Sequence, residues 1–75
     1  MKSMTIVIED LGNGKIRATG RNNGRTVAWR DGTQANAKSL LDYVMSETCL
    51  GHKLESGYDL TYIELNDAAM SVLNS

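Results

Sequence analysis

An α+β domain is predicted, built as a three-stranded antiparallel β-meander with one amphipathic helix packed on it, then a C-terminal helix or a strand plus short helix. Three observations lead there. Two Asn-Gly pairs, Asn13-Gly14 and Asn23-Gly24, stand ten residues apart. The segments around them are rich in β-formers. A helical-period apolar stripe then runs through residues 37–48. The 75 residues make a single domain, 1–75.

Met4–Leu11 reads as the first strand, with Thr, Ile and Val dominant. Each Asn-Gly pair favours positive φ at two successive residues, the requirement of a type I′ hairpin turn. Strands over about 4–11, 15–21 and 25–30 follow. Alternation puts Ile16, Ala18 and Gly20 on the core side of the second strand and Lys15, Arg17, Thr19 and Arg21 outside. Continued into the third, it turns Val27 and Trp29 inward and Thr26, Ala28 and Arg30 outward. Trp29 is thus expected to fill the interior.

Asp31-Gly32 is read as the end of the sheet and Thr33 as a helix N-cap. From Gln34 to about Leu50, the positions Ala37, Leu40, Leu41, Val44, Met45 and Thr48 fall on one helical stripe. Gly51 stands where a left-handed cap belongs. His52–Asp59 reads as a polar connection. Thr61–Glu64 has the form of a capping box, which favours a long final helix with Tyr62, Leu65, Ala69, Val72 and Leu73 on one stripe. Against it, Tyr58–Leu65 is rich in β-formers, and Asn66 or Asp67 offers a cap for a shorter helix.

Charge divides the chain. Lys15, Arg17, Arg21, Arg25 and Arg30 stand in a stretch, Leu11–Arg30, that holds no acid, whereas residues 31–75 carry seven acids against Lys38 and Lys53. With 41% hydrophobic and 23% charged residues, the composition is that of an ordinary soluble domain rather than a disordered one. The longest aliphatic run, Ile6-Val7-Ile8, is far too short to span a membrane, and the Met1–Met4 start lacks the apolar core of a signal peptide. No membrane partner and a cytoplasmic location (the host cytoplasm, if the chain is phage-encoded) are the expectations. One cysteine excludes an internal disulfide. Oligomerisation or a tight partner is the remaining route to extra stability for so small a core, and a homodimer is one expectation.

Nothing in the chain has the form of an active site. Cys49 and His52, spaced C-x-x-H, lack the further ligands of a zinc site and the orienting group of a nucleophilic pair. Gly12-Asn13-Gly14 lacks the Gly-Lys-Ser/Thr ending of a phosphate loop. Glu9-Asp10, and Asp42 with Glu47, read as solvated acids. No catalytic residue, metal or cofactor is expected. Two surfaces are candidates for binding. The acidic helix face, Asp42, Tyr43 and Glu47, suits a basic protein partner. The basic sheet face, Lys15, Arg17, Arg21, Arg25 and Arg30, suits a protein or nucleic acid. With Trp29 turned inward that face lacks an aromatic to stack a base, and the sequence pI of about 5.7 also speaks against nucleic acid.

Met4-x-Ile6 in the first strand, Gly14-Lys15-Ile16-x-Ala18 in the second, Asn23-Gly24-x-x-Val27 before the third, Arg30-Asp31, and Leu50-Gly51 closing the helix form a spaced series. Over about residues 4–51 the chain resembles the small phage-encoded anti-CRISPR proteins that block the type I-F surveillance complex with an antiparallel sheet and two helices. The resemblance implies a stoichiometric inhibitor that binds a host CRISPR-Cas complex and blocks nucleic-acid or nuclease access. It carries over no individual functional residue. The alternatives from the residues themselves are a nucleic-acid-binding module using the basic sheet face and a small oligomeric accessory protein.

Overall fold

A computed structural model describes residues 3–49, 53–54, 57–58 and 60–75. Strands β1 (Met4–Gly12), β2 (Lys15–Asn22) and β3 (Arg25–Thr33) form the predicted antiparallel meander. Both hairpin turns have the expected backbone. Asn13 and Gly14 take φ of 55° and 76°, and Asn23 and Gly24 take 54° and 82°. Asparagine tolerates the left-handed region better than most residues and glycine enters it without strain. β3 does not stop at Asp31-Gly32 but runs to Thr33, opposite Lys15.

A single 3-10 turn (Gln34–Asn36) leads into helix α1 (Ala37–Thr48). The Thr33 side chain makes no capping bond. All six stripe residues, Ala37, Leu40, Leu41, Val44, Met45 and Thr48, are buried as predicted. They pack with Met4, Ile6, Ile8, Ile16 and Ala18 of the sheet into one core. Burying a large aliphatic side chain is worth about 1.5–3 kcal/mol, so this layer holds helix to sheet. The predicted Gly51 cap and His52 lie outside the described residues.

The C-terminal segment takes the strand-plus-helix form rather than the long helix. After a two-residue antiparallel pair, β4 (Lys53–Leu54) with β5 (Gly57–Tyr58), strand β6 (Ile63–Leu65) lies parallel to β1 and helix α2 (Asp67–Leu73) follows. The main sheet is therefore four-stranded and mixed, in the order β3-β2-β1-β6. Ile63 is completely enclosed and Ala69 is buried beneath α2, whereas Tyr62, placed inward by the long-helix reading, is exposed. α2 packs on β1, β6 and α1, and α1 on β2 and β3, so both helices cover one side of the sheet.

Asn66 explains why the strand wins. Its backbone N–H donates to the Ile6 carbonyl (3.2 Å). Its side-chain Nδ2 donates to the Ile8 carbonyl (3.0 Å), and its Oδ1 accepts from Ile8 N–H (3.2 Å). The amide thus continues the β1 edge beyond β6. The same Oδ1 accepts from Ala69 N–H (3.0 Å) and caps α2. Asn66→Ala is expected to lower stability by about 1–3 kcal/mol, through the orphaned Ile8 groups and the lost cap. A denaturant midpoint equal to that of the wild type would refute the role of this side chain.

The third strand corrects the predicted faces. Arg21 pairs with Thr26 but Gly20 pairs with Ala28, leaving Val27 as an extra, bulged residue. A one-residue insertion reverses every later side chain. Trp29 falls opposite Thr19, on the side away from the helices, and is 56% exposed. Val27 is also exposed. Ala28 and Arg30 turn to the helix side, opposite Gly20 and Ala18, while Thr26 faces outward as predicted. Space is the physical reason. Under α1 a Cβ added at Gly20 would run into the Thr48 hydroxyl and lie 2.9 Å from the Thr48 Cβ. At that point β2 and β3 meet α1 through Gly20 and Ala28, and the larger Arg30 on the same side lies exposed against Tyr43. Isoleucine, leucine, valine and methionine fill the core instead.

Candidate functional site

Among the described residues no helix covers the sheet's other side, and cross-strand register arranges its side chains in three rows. Glu64, Thr5, Arg21 and Thr26 form one row. Val7, Thr19 and Trp29 form the middle row, and Glu9, Arg17 and Asp31 the third. A shallow depression at the centre is lined by Glu9, Arg17, Thr19, Arg21, Thr26 and Trp29.

Arg17 links two rows. Its Nε donates to Asp31 Oδ1 (2.6 Å) and its Nη2 to Asp31 Oδ2 (3.0 Å), the two-pronged geometry that guanidinium and carboxylate share. Its guanidinium carbon also lies 4.9 Å from the centre of the Trp29 ring, within cation–π range. The hydrogen bond from Arg17 holds the Asp31 carboxyl below its ordinary value of 3.8, and the charge of Arg17 adds to this. The contribution of the pair to stability is therefore present above that value and is lost as pH falls through the depressed one. Arg21 faces Thr5 and Thr26 across the strands, with no acid directly opposite.

The five cations of the predicted basic face are not brought together. Lys15, Arg17 and Arg21 share the open side. Arg25 sits at the far hairpin opposite Asn22, and Arg30 lies on the helix side with its guanidinium 3.7 Å from the Tyr43 ring centre. The acidic helix face also separates. Tyr43 is half-buried against the core under Arg30. Asp42 lines a small groove with Lys38, Leu41, Met45 and Leu73, between α1 and α2. Glu47 is exposed, five residues beyond Asp42 and so about 140° further around the helix. Cys49 is buried, which pushes its thiol pKa up; its partner in the sequence motif, His52, is outside the described residues. Among the described residues no three of His, Cys, Asp and Glu form a metal-holding group, and no helix is long and apolar enough to cross a membrane.

Trp29 is the residue that sequence reasoning left out of the site. The available signal was the spacing of Ala28 and Gly32, small residues that fall opposite Gly20 and Ile16 on the side the helix presses against. Compared with protein families, curated proteins and solved structures, the chain matches none.

Proposed function

We propose that the chain is a non-enzymatic protein-binding domain of the inhibitor type. It docks the open side of its sheet, Trp29 foremost, on a surface of a larger assembly. The resemblance points to a host CRISPR-Cas effector complex, with nucleic-acid or nuclease access blocked by occupancy. The observation that carries this reading is an exposed tryptophan at the edge of an uncovered sheet with charges of both signs around it. Tryptophan and arginine are the residue types that most often dominate binding energy at protein interfaces. Interspersed Glu9, Asp31 and Glu64 suit a protein surface of mixed charge. They oppose a phosphate backbone, which favours uninterrupted positive charge. Asp42 and Glu47 remain candidates for secondary contacts with a basic partner.

One observation favours a second reading. Trp29 beside Arg17 and Arg21 gives the basic side of the sheet the stacking aromatic that a single nucleic-acid strand uses.

Capture of tagged protein from host lysate, with and without nuclease, separates the two. The docking reading expects a stoichiometric protein companion that survives nuclease and is lost with Trp29→Ala, at a cost of about 2 kcal/mol or more, roughly thirtyfold in Kd. A companion retained in full by Trp29→Ala overturns it. Recovery of nucleic acid that vanishes on nuclease treatment and weakens steeply with salt selects the second reading.

A further inference from the structure

We infer that Arg17 is a positioning residue, holding Trp29 as a preformed anchor on the open side of the sheet while Asp31 holds Arg17. The inference rests on the docking reading for its purpose, but its geometry belongs to the free protein. An indole that is 56% exposed on a sheet would ordinarily exchange among rotamers. Here one neighbour restrains it. Arg17 reaches across the strand pair to the Trp29 ring, and both prongs of its guanidinium are held by Asp31. Asp31 lies two residues along β3 from Trp29, on the same side and directly opposite Arg17. Among the described residues, Glu9 of β1, on the other flank of Arg17, Lys15 of β2, which lines the surface next to Asp31, and Arg21, across the same depression, are the other charged groups around the pair.

Two consequences follow for recognition. The charge of Arg17 is already engaged, so the cations left for a partner on this side are Lys15, at the hairpin end, and Arg21, which lines the depression beside Trp29 and has only threonines opposite it. The partner surface that fits is an apolar recess for the indole with a carboxylate near it for Arg21. Holding the anchor in place before contact removes part of the ordering cost of association, the general advantage of preorganisation.

Trp29 is the single tryptophan of the chain, so its fluorescence reports this contact without any partner. At neutral pH, Arg17→Met and Asp31→Asn are each expected to red-shift the emission, raise acrylamide quenching and lower the anisotropy, with the far-UV spectrum unchanged. Arg17→Lys, which keeps a cation but not the two-pronged bond, should fall between wild type and Arg17→Met. In the Arg17→Met background Asp31→Asn should add nothing, because Asp31 acts through Arg17. An Arg17→Met emission and quenching profile identical to wild type overturns the inference. So does an Asp31→Asn effect that persists in full in that background. If these spectra change as expected while Trp29→Ala still retains its companion in the capture experiment, docking through Trp29 falls and the positioning role stands.

Discussion

Val44→Asp is expected to unfold the domain. Val44 is fully enclosed at the centre of the α1 stripe, among Leu40, Leu41 and Met45 on its own helix and the isoleucines of the sheet. The substitution removes a buried aliphatic group, worth about 1.5–3 kcal/mol, and places a carboxylate inside the apolar core. Burying an unpaired charge costs several kcal/mol even after relaxation. A core of this size rarely supplies more than about 3–5 kcal/mol in all. The far-UV spectrum should lose its cooperative thermal transition. A variant that kept the wild-type spectrum and Tm would show that α1 does not hold the sheet by this stripe.

Gly20→Val is expected to destabilise the domain by the opposite route. Nothing is removed, but α1 cannot sit where it does. The first added carbon already collides with the Thr48 hydroxyl, lies 2.9 Å from the Thr48 Cβ and 3.0 Å from a Val44 methyl. A Cβ is fixed to the helix backbone and cannot swing away, so the whole helix must lift. Overpacking of this kind costs about 1–3 kcal/mol. Gly32→Ala is the control, since the atoms its Cβ would meet are the movable end of Leu40. Urea midpoints should fall far more for Gly20→Val than for Gly32→Ala. Equal losses would mean that the close approach at Gly20 is not what sets the spacing between helix and sheet.

The contrast between these two sites shows how much was legible in the amino-acid order. The hairpin turns were readable because Asn-Gly dictates its own backbone, and the α1 stripe because six residues repeat a helical period. Both signals are local. The position of Trp29 was not readable, because it depends on one bulged residue, Val27, and the bulge answers to the helix on the other side of the sheet. Counting alternation from the turn gives Trp29 the wrong face by a single step. The C-terminal segment failed for a similar reason. Thr61–Glu64 and the β-formers of 58–65 are balanced locally, and the balance is tipped by Asn66 bonding to Ile6 and Ile8, residues remote in the chain. The candidate site was half legible. Arg17 and Arg21 were placed on the open side, but their neighbour Trp29 and the bond to Asp31 emerged only from the register of three strands.

The place of β6 beside β1 also bears on how the chain reaches its native state. The two hairpins and α1 join neighbours in sequence, whereas Met4–Ile6 must wait for Ile63–Leu65 from nearly the opposite end. Closing so long a loop costs more entropy than closing a hairpin, which makes β6 the natural last arrival. Until then the outer edge of β1, Met-Thr-Ile-Val-Ile, is an uncharged and strongly β-prone strand with its backbone groups unpaired. Such an edge is a template for pairing with another chain. The short C-terminal strand and the Asn66 amide therefore act as a guard against self-association during synthesis and refolding, a duty separate from anything the finished surface binds.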